Sequence, residues 1–293
     1  MSKRVLGLWN MGEGLFHRQL SPDESKTLIR QALSFGISCF DTAFSYRNAD
    51  NYLAAVIKER GIKRESIEII SKVMAVPTLE KKVDTSLRRL GSDYLDILLL
   101  HWPAEKELNC SSLIKLEKIK ESGKAKAIGV SNFPLNMLAE CMKDFEITHH
   151  ERALSLLWKK EWKEEKALGL KTIAYAPLAM GLLSKTEAQL KSIKDRRAEL
   201  EVAKSKHLLP LLKKIAELSY KHESSPAEIA LSWVEGENPE YIAQGFSDKK
   251  QLPYKAITLP PSDKMALDAI ADEIEREAKS DNIFSHSYLS QRQ

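Results

Sequence analysis

The sequence lacks a glycine-rich dinucleotide turn. Val5-Leu6-Gly7-Leu8-Trp9, the first apolar run, is followed by no G-x-G-x-x-G, so the usual opening of a Rossmann domain is missing. Cysteine is scarce: Cys39, Cys110 and Cys141 are an odd set, and no two are spaced like a metal knuckle or a redox pair. Reduced thiols are the simplest account, and a disulfide scaffold is set aside. No apolar run approaches the roughly 18 residues of a membrane span. The start, MSKRVLGLWNMGEG, has no signal-peptide core. One-sided charge is missing as well. Lys and Arg total 45 against 41 Asp and Glu, a net +4 with both signs mixed along the chain. No basic stripe points to nucleic acid. The expectation is a soluble, cytoplasmic protein with neither a membrane nor a nucleic-acid partner.

What is present is alternation. Eight short apolar, β-rich runs recur: RVLGLW, SCFDTA, IEIISKV, YLDILLLHW, KAIGVSN, EITHHERAL, KTIAYAPL and YIAQG. Segments of helical period lie between most of them, with Leu28, Ile29, Ala32 and Leu33 on one face and Leu79, Val83, Leu87 and Leu90 on another. Ser21-Pro22-Asp23-Glu24 and Ser225-Pro226-Ala227-Glu228 are capping boxes with proline at the first helical position. Strand and helix alternating eight times predict one (β/α)8 barrel, a TIM barrel spanning residues 1–293. A doubly wound open sheet is the competing architecture, and the missing glycine-rich turn counts against it. The charged stretch Ser184–His207 reads as a solvated helix, with a flap over the mouth as the alternative. A last helix is expected from Asp263 to about Ser280.

The residues with chemical potential gather at strand ends. Asp41 ends the second run, Tyr46 follows in the loop, Lys72 ends the third and His101 the fourth. Taken singly, each has a plain structural reading as packing or a solvent-facing charge. In a barrel, however, neighbouring strands deliver their C-terminal ends to one mouth. A phenol has an ordinary pKa of about 10, too high for easy proton donation near neutrality. A nearby ammonium stabilises the phenolate, and a carboxylate keeps that ammonium charged in a dry site. A histidine can donate a hydrogen bond to an oxygen gathering charge. The set suits protonation of a carbonyl oxygen while hydride reaches its carbon.

At this point the sequence resembles the aldo-keto reductases. FDTAFSY, ISKV, DYLDILLLHWP, GKAKAIGVSNF, AYAPLAMGLL and SSPAEIALSWV are similar to that family's motifs, in the family's order, from about Val5 to Ala269. The resemblance implies Tyr46 as general acid, Lys72 as its pKa modulator, Asp41 as the lysine's partner and His101 as the orienting donor. It implies Ser131 and Asn132 against a nicotinamide carboxamide, with Glu151 where the family has a glutamine. It also implies Tyr175 stacked on the nicotinamide and Leu178 along the pyrophosphate. The cofactor implied is NADPH, less often NADH, and the partner a small-molecule carbonyl substrate. The chain itself is expected as a monomer or weak homo-oligomer.

Three departures stand out. In YIAQGFSDKKQLPYK, Gly245 and Phe246 replace the family's basic residue and serine, and Gln251 stands near its arginine. Ser247, Lys249 and Lys250 could still meet a 2′-phosphate, the lysines as point charges; a solvated turn is the plain reading. Glu151 brings a charge where an amide is usual. The hairpin that usually closes the barrel floor before the first strand is absent. Two other functions compete with a NAD(P)H-dependent carbonyl reductase. One is a barrel of the same fold with weakened cofactor use and a regulatory role. The other is a metal-dependent barrel using His101, His149, Glu151 and Asp41, for which a polar strand edge is the plainer account. The short loop after the fourth strand suggests an open pocket for aldehydes or sugar-like carbonyls.

Overall fold

The computed structural model describes residues 1–12, 20–248, 251–252 and 257–278. Eight parallel strands close into a barrel in sequence order. They are β1 (Lys3–Gly7), β2 (Cys39–Asp41), β3 (Glu68–Val73), β4 (Leu95–Leu100), β5 (Ala125–Ser131), β6 (His149–Ala153), β7 (Lys171–Tyr175) and β8 (Tyr241–Gly245). β1 pairs with both β2 and β8, Val5 standing beside Cys39 on one side and Ala243 on the other. The (β/α)8 barrel expected from the alternation is therefore the fold.

The side-chain period of two along a strand builds both the core and the site. Val5, Cys39, Ile70, Ile97, Leu99 and Ile173 fill the barrel interior as one apolar cluster. Two residues further along the same inward face, Cys39 gives way to Asp41, Ile70 to Lys72, Leu99 to His101 and Ile173 to Tyr175. The apolar layer thus ends where the polar mouth begins. Residues on the opposite faces of the strands pack under the helices in two larger clusters.

Local signals agree with the fold. In the helix Pro22–Ser34, Glu24 N–H donates to Ser21 Oγ (3.3 Å) and Ser21 N–H to Glu24 Oε2 (2.8 Å). Ser225 and Glu228 repeat the device for Pro226–Gly236. Gly91, at φ 61°, ends the helix Leu79–Leu90 in the left-handed conformation that glycine adopts without strain.

Two expectations change. Ser184–His207 is not one solvated helix. It breaks into short helical turns, including Glu187–Lys191, Arg196–Glu199 and Glu201–Lys204, and buries Leu200 and Val202. Those two apolar side chains anchor it against the second cluster, and this outweighs the charged composition. The last helix runs Pro261–Glu277; the tail beyond 278 lies outside the described residues.

At the N-terminal ends of the strands, charged side chains close the barrel floor. Lys3 pairs with Glu68, and Tyr241 Oη donates to Glu68 Oε1 (2.8 Å). Asp96 accepts from Arg64 (2.7 Å) and Lys126 (2.8 Å).

Gly129 lies where β5 meets β6. A Cβ there would meet the His149 carbonyl oxygen at 2.2 Å and Leu99 Cδ2 at 2.8 Å. Backbone cannot yield as a side chain can, so Gly129→Ala should lower unfolding free energy by about 1–3 kcal/mol. A shift of the urea midpoint at unchanged slope is the measurement.

Candidate active site

The mouth is organised around one buried ammonium. Lys72 is 1% exposed and Asp41 5%. Lys72 Nζ forms an ion pair with Asp41 and donates to the Thr42 carbonyl oxygen (3.2 Å). A second acid, Glu151 of β6, brings Oε2 to 3.2 Å from the same nitrogen. Burial opposes charge on Lys72, but Asp41 and Glu151 outweigh it and hold the lysine above its ordinary pKa. Burial pushes Asp41 upward and Lys72 opposes that shift. Glu151 is pushed up to about 8, by burial first and then by the Asp41 charge. Both buried carboxyls are therefore harder to ionise than free ones, and Lys72 opposes the shift in each.

Tyr46 and His101 face this centre. Lys72 Nζ lies 5.4 Å from the centre of the Tyr46 ring. The Tyr46 and His101 rings meet edge-to-face, 5.8 Å apart at 73°. Trp102 stacks behind His101 at 5.9 Å. Burial and then the Lys72 charge hold His101 well below its ordinary pKa, so its imidazole is neutral. A neutral imidazole has one N–H to donate and one nitrogen to accept.

Asn132 ties the strand ends together. It sits at φ 62°, a left-handed conformation that asparagine tolerates. Its N–H donates to the Glu151 carbonyl oxygen (2.9 Å), and its side-chain amide donates to the His101 carbonyl (3.1 Å) and to Ser131 Oγ (2.9 Å). Tyr175 Oη donates to Asn132 Oδ1 (2.6 Å). Burial, then Glu151, keep the Tyr175 phenol protonated. β4, β5, β6 and β7 are thereby fixed to one another at the mouth.

The remaining residues expected at a cofactor lie along the rim. Leu178 sits in the turn after β7, where Ala176, Ala179 and Met180 all take positive φ, and packs on the second apolar cluster. Gly245 is the exposed last residue of β8. The Ser247 and Asp248 N–H groups donate to Gln251 Oε1 (2.8 and 3.2 Å), so Gln251 closes that turn on itself. Lys249 and Lys250 lie outside the described residues. Among the described residues, no group of three or more His, Cys, Asp or Glu could hold a metal ion. His149 turns instead to Thr148 Oγ1 (2.8 Å) and to the Tyr241 ring on the floor side.

Sequence reasoning gathered Asp41, Tyr46, Lys72 and His101, and named Glu151 against a carboxamide but not beside the lysine that it meets. It missed two further participants, Thr42 and Gly12. Thr42 donates its hydroxyl to Asp50 Oδ1 (2.6 Å) and its carbonyl serves Lys72. Gly12 packs against the Tyr46 backbone so closely that a Cβ would stand 2.0 Å from its carbonyl oxygen.

A family profile described as "Aldo/keto reductase family" matches residues 5–254. A glyoxal reductase of Bacillus subtilis (strain 168) is 32% identical over 230 residues, 76% of this chain and 73% of that protein. A glycerol 2-dehydrogenase (NADP(+)) of Saccharomyces cerevisiae is 26% identical over 305 residues, covering 89% and 87%. Among solved structures, a glycerol dehydrogenase from Gluconobacter oxydans superposes with TM-score 0.75 at 22% identity over 93% of this chain and 92% of that one. A thermostable aldo-keto reductase crystallised with epalrestat gives 0.74 at 22% identity, over 92% and 95%.

Removing the ammonium alone leaves two buried acids facing each other. Lys72→Met should cost about 3–5 kcal/mol of stability at pH 9. Without the cation both carboxyl pKa values rise in the folded state. The native protein then binds more protons than the unfolded chain, and the deficit narrows as pH falls. Thermal melts of the variant and its parent at several pH values check the sign.

Proposed function

The chain belongs to the aldo/keto reductase family, and from that premise we propose that it reduces small aldehydes or sugar-like carbonyls to alcohols with Tyr46 as the proton donor. Members of this family are oxidoreductases that use nicotinamide cofactors, and no helix among the described residues is long and apolar enough to cross a membrane. The observation that carries the reading is the convergence of Tyr46 and His101 on the buried Lys72–Asp41 pair. Glyoxal and glycerol, in the names of two relatives, are small oxygen-rich molecules of the class proposed.

The chemistry follows from the groups present. Tyr46 Oη gives its proton to the substrate oxygen, and Lys72 stabilises the phenolate left behind. Neutral His101 donates its N–H to the same oxygen and orients the carbonyl. Asp41 keeps the ammonium charged in a dry site. A bound nicotinamide supplies the hydride. The nicotinamide end fits the residues present: Tyr175 offers an aromatic face beside an Asn132 amide already fixed by its neighbours, and Ser131 lies next to it. At the other end, Leu178, Gly245 and the turn of Ser247 and Gln251 would follow the pyrophosphate and adenosine. The cofactor is read as NADP(H), with NAD(H) as the alternative, and Ser247 is the hydroxyl of this turn that would meet a 2′-phosphate.

Tyr46→Phe should lower kcat for aldehyde reduction by about 10²–10⁴-fold while leaving cofactor affinity within about twofold. Quenching of tryptophan fluorescence by NADPH and NADH measures the affinity. A parent protein that binds neither would defeat the reading and leave a barrel without this activity.

A further inference from the structure

Two acids serve one base at the mouth. Asp41, Lys72 and Glu151 are 5%, 1% and 3% exposed. The Glu151 carboxyl also lies within hydrogen-bonding reach of Asp41. Ionised carboxylates are acceptors only, so such a contact holds only with a proton between them. Glu151 Oε2 is 3.2 Å from Lys72 Nζ but off the direction of a hydrogen bond, and it has no other hydrogen-bond partner. Full ionisation would leave a net negative charge in a dry site, which desolvation strongly disfavours.

We propose that Glu151 is a positioning residue for proton donation: it holds one proton in common with Asp41 beside Lys72, and its release makes Tyr46 harder to deprotonate. With that proton in place the three groups sum to zero charge, and the ammonium is available to a Tyr46 phenolate. Once it leaves, Lys72 is drawn between two carboxylates, and an added negative charge opposes the phenolate. The groups facing Glu151 are Asp41 from β2, Lys72 from β3 and Tyr175 from β7; Tyr46, from the loop after β2, and His101, after β4, face Lys72, and Arg152 of β6 acts on Tyr175. Tyr175 stays protonated and His101 neutral, so neither cancels the change. Burial and the Asp41 charge push Glu151 up to about 8, which puts the release within the working range of a cell. The inference rests on Tyr46 being the proton donor.

The experiment is an ultraviolet phenolate titration of the full chain, taken as the difference between each protein and its Tyr46→Phe counterpart. Glu151→Gln keeps shape and hydrogen bonding but cannot ionise. It should lower the midpoint of Tyr46 ionisation by about one pH unit. It should also remove an inflection near pH 8 from the pH profile of kcat for reduction, which a merely structural role would not move. In the parent, an infrared band of a protonated carboxyl should fade as pH rises through about 8, a measurement needing no variant to fold. An unmoved Tyr46 midpoint, or no protonated carboxyl at about pH 6, would overturn the proposal. If Tyr46→Phe keeps full activity, the proton-donor reading fails separately, because both titrations remain readable.

Discussion

A single ammonium, that of Lys72, is held almost free of water at the open end of the barrel. In such a place a lone charge is very costly, so the surroundings must supply opposite charge and hydrogen-bond acceptors. Asp41 and the Thr42 carbonyl do so from the end of β2, and Glu151 from β6 across the mouth. Each must arrive at the right height for the ammonium to be tolerated. The closed barrel provides this by registering parallel strands side by side. The electrostatic requirement at the mouth and the backbone register of the sheet are therefore one constraint seen from two levels.

Asn132 extends the constraint sideways. By bonding to His101, Ser131, Glu151 and Tyr175, it makes the ends of four strands a rigid frame. Its left-handed backbone, a conformation disfavoured for most residues, is stabilised by those partners. A frame of this kind holds the polar groups of the mouth at fixed positions, so their dipoles need no rearrangement to meet a charge.

How much was legible can be traced residue by residue. The barrel could be read because eight apolar runs alternate with segments of helical period along most of the chain, two of the helices opening on capping boxes. Asp41, Lys72 and His101 could be read because each continues the inward face of an apolar strand. Glu151 lies on an inward face too, but its partner is 79 positions away in sequence, and only strand order brings the two together. Ser184–His207 misled because charge composition dominates the sequence there. Its fold is decided by two apolar side chains, Leu200 and Val202, that find a core elsewhere. Gly12 is silent in sequence because its purpose is the space it leaves for Tyr46.

At the floor of the barrel, Lys3 and Tyr241 meet Glu68, and Arg64 and Lys126 meet Asp96. Between these groups and the mouth lies the dry layer of Val5, Cys39, Ile70, Ile97, Leu99 and Ile173. A change of charge at one end is therefore felt at the other only across apolar side chains, and the two polar ends can be altered separately.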